Sequence, residues 1–177
     1  MFKRLTVIGN GGAGKTTLSQ HLAAEFDLPL HHMDRIIWQP NWGRTPDDEV
    51  RATLEEILPQ PKWLIDGLGP IWSIEMRLPY ADRIIFLDYP LEQCKRWAMQ
   101  RVEEYRDRER PDAPQGCSFN GLEDTLLKLL DRVDREFLPV IRHRLSEPDI
   151  RSKTAWLRSP EQLEGLTTEL LDGKEGS

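Results

Sequence analysis

The chain has 177 residues, a length that suits one domain with a sizeable core. It carries 30 Asp and Glu against 24 Lys and Arg, a net charge of −6, which argues against non-specific binding to nucleic acid or to an anionic membrane while leaving room for a local basic patch. Charged residues make up 31% of the chain and no apolar run approaches the ~20 residues that a bilayer span needs, so the composition is that of a soluble protein.

Leu5-Thr6-Val7-Ile8 is a short apolar, β-branched run of the kind that forms a buried strand, over about residues 4–9. Because the chain enters this strand at once, it leaves no room for a signal peptide, and a cytoplasmic location is expected. Gly9 to Thr16 reads Gly-Asn-Gly-Gly-Ala-Gly-Lys-Thr and meets the pattern G-x-x-x-x-G-K-[ST] at every fixed position. Leu18, Leu22 and Phe26 then recur at four-residue spacing, as on the buried face of a helix over about 15–26. Strand, glycine loop and helix is the setting in which this pattern holds a polyphosphate: the glycines turn backbone N–H groups inward, and the helix start adds partial positive charge.

Asp27 leads into Leu28–Met33, a short second strand ending at Asp34, and an aromatic loop, Trp38 to Trp42, follows. Thr45-Pro46-Asp47-Asp48 reads as a helix start with Thr45 as cap, and that helix carries Val50, Leu54, Ile57 and Leu58 before Pro59 stops it. The third strand, Lys62–Ile65, ends in Asp66-Gly67, and the fourth, Arg83–Leu87, ends at Asp88. Pro90 opens a helix that runs through Trp97 and Val102 to near Tyr105. Apolar periodicity disappears between about Arg106 and Phe119, where Arg110 to Gly116 has the composition of a mobile loop. A long amphipathic helix follows, capped by Asn120 with Glu123 three residues on, its stripe Leu122, Leu126, Leu129, Val133 and Phe137, with Pro139 kinking or ending it. Lys153–Leu157 makes a fifth strand, Ser159-Pro160-Glu161-Gln162 starts the last helix, and disorder is expected from Gly173. Alternating strands and helices imply an α/β fold, one domain over 1–177, whose parallel sheet is covered on both faces.

Ligands of open parallel sheets sit beyond the carboxyl ends of the strands, here Gly9, Asp34, Asp66 and Asp88. Gly9, Gly11, Gly12, Ala13, Gly14, Lys15, Thr16 and Thr17 form the nucleotide-binding set, with Lys15 neutralising the β- and γ-phosphates and the Thr16 hydroxyl a ligand of Mg²⁺. Asp66, after three apolar strand residues, is placed as a Walker-B-like second metal residue, or as a turn former with Gly67. Asp34 would accept a hydrogen bond or a proton from a hydroxyl acceptor, or else cap a helix or pair with Arg35; Asp88 is read as a cap for the helix at Pro90. Arg101, Arg106, Arg108 and Arg110 offer planar forks to a transferring phosphoryl group, although Glu103, Glu104, Asp107 and Glu109 stand ready to pair with them on a solvated face. Arg77 is read as an acceptor ligand or a surface ion pair. Trp38 and Trp42 either stack on a planar substrate or wall off a pocket, or else serve the packing of the second helix against the sheet. His21, His31, His32 and His143 show no ligand spacing and are taken as structural, and Cys94 and Cys117 as free thiols in a reducing compartment.

With these residues assembled, the chain resembles a P-loop kinase of the adenylate-kinase-like group, and most nearly the bacterial family named DNA topology modulation (FlaR-related) proteins. The shared residues are the glycine loop, Leu30 to Asp34 with Trp38 to Trp42, Trp63 to Gly67, Ile84 to Asp88, Arg110-Pro111-Asp112 with Gly116-Cys117, and Leu157-Arg158-Ser159. The resemblance implies a P-loop NTPase fold with a five-stranded parallel sheet in the order 2-3-1-4-5, an acceptor-binding segment over about 34–60 and a lid over about 106–119. It also places Arg158 and Pro160 beside the adenine. Adenylate kinases carry Asp-Gly-Phe-Pro-Arg after strand three and Thr-Gly-Asp-Met-Leu-Arg after strand two. Here these are Asp66-Gly67-Leu68-Gly69-Pro70 and Met33-Asp34-Arg35-Ile36-Ile37-Trp38, a single acid as in shikimate or gluconate kinases, which argues against AMP as acceptor. The expected function is an ATP- and Mg²⁺-dependent phosphotransferase acting on a small molecule, as monomer or homodimer. The rival readings are a nucleotide-dependent regulatory protein with weak ATPase activity and a nucleoside monophosphate kinase with an unusual acceptor pocket.

Overall fold

The parallel sheet contains β1 (Arg4–Gly9), β2 (Leu30–His32), β3 (Trp63–Asp66), β4 (Arg83–Leu87) and β5 (Thr154–Leu157), in the order β2-β3-β1-β4-β5. The computed structural model from which this is taken describes residues 2–110 and 112–175. Side chains of a strand alternate between faces, and both faces here are apolar, which explains the near-continuous hydrophobic runs of the sequence. Leu5, Val7, Leu64, Ile85 and Leu87 pack with Leu18, Leu22 and Phe26 of the helix Lys15–Phe26 and with Leu166 of the helix Pro160–Glu175. Ile8, Trp63, Ile65, Ile84 and Phe86 pack on the opposite face with Val50 and Leu54 of the helix Asp47–Ile57 and with Leu138, Ile141 and Leu145 of the helix Leu138–Leu145. Among the described residues, no helix is long and apolar enough to cross a membrane.

Several local readings are corrected. The segment Trp38 to Trp42 is not a plain loop. A short helix, Met33–Ile37, leads into an antiparallel ribbon in which Trp38 pairs with Arg44 and Gln39 with Gly43, across a turn at Pro40–Trp42. Pro46, not Thr45, occupies the cap of the next helix, and Leu122 rather than Asn120 precedes the helix Glu123–Arg132, where the Glu123 carboxylate accepts from the Gly121 N–H at 3.1 Å. Leu130, not Leu129, completes the buried stripe with Leu126 and Val133. Pro139 neither kinks the chain out nor ends the helix. It lacks an N–H and crowds the carbonyl four residues back, and the chain absorbs this by widening into π-type turns over Val133–Phe137 before continuing to Leu145. The last helix reaches Glu175, through Gly173, because the Lys174 and Glu175 that follow are good helix formers; Gly176 and Ser177 lie outside the described residues. Between Arg106 and Phe119 the described residues form only turns, as their composition suggested, with Pro111 outside them.

A helix at Ile71–Arg77 was not anticipated, and its last residue is neither an acceptor ligand nor a surface ion pair. The Arg77 side chain is fully buried. It donates to the carbonyls of Ser73 (3.0 Å), Gly67 (3.0 Å) and Leu68 (2.7 Å) and to the Thr6 hydroxyl (3.4 Å). Burial lowers its pKa to about 10, opposed by the charge of Asp66. The guanidinium thus fixes the turn after β3 that carries Asp66 into the site. Arg77→Ala leaves those carbonyls without their donor and is expected to lower unfolding free energy in urea by about 3 kcal/mol; a loss under about 1 kcal/mol would contradict this staple role.

Candidate active site

The loop after β1 is shaped by close approach as much as by backbone rotation. A Cβ on Gly12 would lie 2.1 Å from the Cys94 carbonyl oxygen, and one on Gly9 2.6 Å from that of Leu87. Gly14, at φ 82°, has nothing within 4 Å of where a Cβ would project, so this side of the loop is open. The Asn10 side chain braces the loop, accepting from the Gly11 N–H (2.8 Å) and donating to the Leu130 carbonyl (3.1 Å). The first intrahelical bond runs from the Leu18 N–H to the Gly14 carbonyl, so the Lys15, Thr16 and Thr17 amides begin the helix and face outward from its end. Ala13 is buried beneath them and Thr17 is exposed. The Lys15 ammonium donates to the Asn10 carbonyl at 2.8 Å. Burial pushes its pKa down, while the carboxylates of Asp34 and Asp66 act to raise it.

A cavity of about 680 Å³ opens over this loop. The ends of β2 and β3 deliver His32, Asp34 and Asp66 to it, and the helix Leu91–Glu104 and the segment after it deliver Arg101, Arg110 and Asp112. Asp66 is 3% exposed and shares a hydrogen bond of 2.7 Å with His32 Nδ1. Asp34 lies deep in the cleft with 40% of its side chain facing the open space; burial raises its pKa, opposed first by Arg110 and then by Lys15. Arg110 lies 3.6 Å from Asp34.

Asp112 links the segment after the helix Leu91–Glu104 to the glycine loop. Its carboxylate accepts from the Thr16 hydroxyl (3.1 Å) and pairs with Arg110 (2.9 Å) and with Arg101. Burial acts to raise its pKa, but the two guanidiniums hold it well below the usual carboxylate range. Thus one carboxylate gathers the hydroxyl at the start of the helix and two arginine forks.

Of the residues singled out in the sequence, the cavity brings together Gly9, Gly11, Gly12, Lys15, Thr16, Asp34, Asp66, Arg101 and Arg110. Arg106 and Arg108 stand outside it, paired with Glu103 and Glu104 on an exposed face. Arg158 is exposed beyond β5, 5.4 Å from the Trp156 ring, and does not line the cavity. Asp88 caps no helix; it accepts from Arg142 (2.7 Å) and the Trp156 indole (2.9 Å), because Pro90 already occupies the cap position. Cys94 and Cys117 are free and buried, and burial pushes the Cys94 thiol up to about 11. His21 and His143 are exposed. Asp112 and His32 are the site residues that sequence reasoning did not select. An acid set among four arginines is a signal for the first; nothing in the spacing marks the second.

No protein-family model matches the chain, and no curated protein does. Among solved structures it is similar to the unliganded crystal structure of a sugar kinase from Janibacter sp. HTCC2649, with a TM-score of 0.52 at 19% identity over 97% of this chain and 95% of that chain. At that identity the likeness is one of fold: a five-stranded parallel sheet flanked by helices, consistent with a P-loop NTPase-like α/β fold.

Because Asp112 has a lower pKa in the folded chain, its ion pairs contribute fully above the ordinary carboxylate value of about 3.9 and are lost as pH falls below it toward the depressed folded value. Asp112→Asn is therefore expected to cost about 2–4 kcal/mol in urea unfolding at pH 7, with the difference from wild type shrinking under acid conditions. Equal stability of the two at pH 7 would contradict the linkage.

Proposed function

We propose that the protein is an ATP- and Mg²⁺-dependent phosphotransferase that moves the γ-phosphoryl group to a hydroxyl of a small molecule. One observation carries this reading: the Thr16 hydroxyl and the Arg101 and Arg110 guanidiniums converge on a single anionic group at the mouth of the glycine loop, beside Lys15. Asp112 supplies that anion from within the chain. A polyphosphate offers the same forks the same charge and geometry, with oxygens for the outward-facing amides as well.

The nucleotide's phosphates lie along the loop, with Lys15 neutralising the β- and γ-oxygens. The acceptor enters from the side of β2 and β3, where Asp34 faces the open cavity. Its hydroxyl oxygen forms the new bond to the γ-phosphorus, the bond from that phosphorus to the β,γ-bridging oxygen breaks, and ADP departs with the electron pair. The hydroxyl proton passes to Asp34, whose carboxylate faces the open cavity and whose pKa burial raises above the ordinary carboxylate value. Arg101 and Arg110, released from Asp112, follow the charge as it spreads over the moving oxygens. Thr16, Asp66 and Asp112 present the hard oxygen donors that suit Mg²⁺, which, when bound, supplies charge neutralisation at the β- and γ-phosphates. The family resemblance and the sugar-kinase fold neighbour support the same reaction class.

Arg101 and Arg110 line the cavity and Arg106 and Arg108 do not, which supports a catalytic role for the first pair alone. Arg101→Ala with Arg110→Ala is expected to lower kcat by about 100-fold or more, with a smaller change in KM for ATP, as does Lys15→Ala. Arg106→Ala with Arg108→Ala is expected to leave kcat within about twofold of wild type. Steady-state kinetics on the folded variants checks this. Equal losses from both pairs would contradict the placement, and tight ATP binding with slow hydrolysis and no transfer to any acceptor would favour a regulatory protein instead.

A further inference from the structure

The part of the cavity away from the phosphate loop is walled by side chains that suit a ring. Trp42 and Phe119 pack with centroids 4.7 Å apart, and Trp38 stands edge-on to Trp42 at 5.5 Å. Across the cavity, Leu129 is 45% exposed, an open apolar surface facing that space, and Phe137 lies one helical segment on.

Trp42 is held in this wall by an uncommon backbone. Asn41 and Trp42 take φ of 57° and 61°, two successive non-glycine residues in the left-handed region, an outlier for a bulky aromatic. The lid keeps them there. The Asn41 N–H donates to the Gln115 carbonyl (3.0 Å), the Trp42 N–H to Cys117 Sγ (3.3 Å) and the Trp42 indole to the Ser118 carbonyl (3.2 Å). Backbone strain that persists under such multiple contacts is found where a side chain has to be aimed.

The cations of that wall carry carboxylates already: Arg44 pairs with Asp47 at 2.9 Å and Arg132 with Glu136 at 2.9 Å. Both guanidiniums are largely exposed, 40% and 62%, so these charges lie toward solvent while the wall made by Trp38, Trp42, Phe119 and Leu129 is itself apolar. A ring laid on tryptophan, phenylalanine and leucine buries apolar surface there, whereas a hydroxyl set against those side chains meets no hydrogen-bond partner, which is costly.

We propose that the acceptor is an uncharged alcohol bearing an aromatic or similarly flat apolar ring, with the ring between Trp42, Phe119 and Leu129 and the hydroxyl on Asp34. This rests on the phosphotransferase reading and names its substrate class. The test is thermal melting of the full chain with Mg²⁺ and a non-hydrolysable ATP analogue, with and without 2-phenylethanol, cinnamyl alcohol, glucose or AMP. The analogue is expected to raise the melting temperature, and the two aromatic alcohols to raise it further, while glucose and AMP do not. Trp42→Ala is expected to weaken the response to the aromatic alcohols about tenfold in concentration, and Trp42→Phe to keep most of it. Stabilisation by glucose or AMP alone, or by no acceptor although the analogue itself stabilises, would overturn the acceptor class and leave the phosphotransferase standing. Failure of the analogue to stabilise would overturn both.

Discussion

A lysine ammonium held half-buried at the start of a helix sets the terms for everything around it. Lys15 finds one carbonyl within its own loop, and the helix end and the outward-facing amides add further positive potential. Water cannot fully compensate charge in such a cleft. Negative groups are gathered instead: Asp34, just past β2, and Asp66, at the end of β3, act on the ammonium, while Asp112 answers the neighbouring Arg101 and Arg110. The raised pKa of Asp34 and the depressed pKa of Asp112 are two results of the same confinement. One carboxylate is desolvated with an arginine only at its edge, and the other is clasped by two guanidiniums.

The sheet order explains how groups so far apart in sequence meet. Placing β1 between β3 and β4 sets the loop at the point where successive connections diverge to opposite sides of the sheet, the crevice in which open α/β folds bind ligands. β2 and β3 then bring their terminal acids to one side of the loop, while β5 carries Arg158 to the far edge. The ribbon at Trp38–Arg44 and the segment 115–118 are joined through the Asn41, Trp42 and Cys117 contacts, so the two are held together.

What could be read from the chain, and what could not, follows from the range of the interactions involved. Strands buried on both faces announce themselves as apolar runs, and the loop's glycines stand where a Cβ would strike a neighbouring carbonyl, as at Gly9 and Gly12. Asp34 and Asp66 were legible because a strand end fixes the direction of the next residue. Arg77 was not: its burial depends on carbonyls of Gly67 and Leu68 that are freed by a turn, and nothing in its neighbours reports that. The left-handed pair Asn41 and Trp42 is held by the segment 115–118, with Cys117 lying 75 residues beyond Trp42 in sequence, and so escapes local reading. Of the four arginines, alternation with acids identified the pairing of Arg106 and Arg108, but only packing separates them from Arg101 and Arg110.

The central claim is that the glycine loop, Lys15 and the two lid-side arginines form one phosphate cradle whose resting occupant is Asp112. A crystal structure with Mg²⁺ and a non-hydrolysable ATP analogue tests it most directly. The account predicts β- and γ-phosphate oxygens within hydrogen-bond reach of Lys15 Nζ and the loop amides, with Arg101 and Arg110 turned from Asp112 to phosphate. A nucleotide bound elsewhere, with the Asp112 contacts to Thr16, Arg101 and Arg110 unchanged, would contradict it.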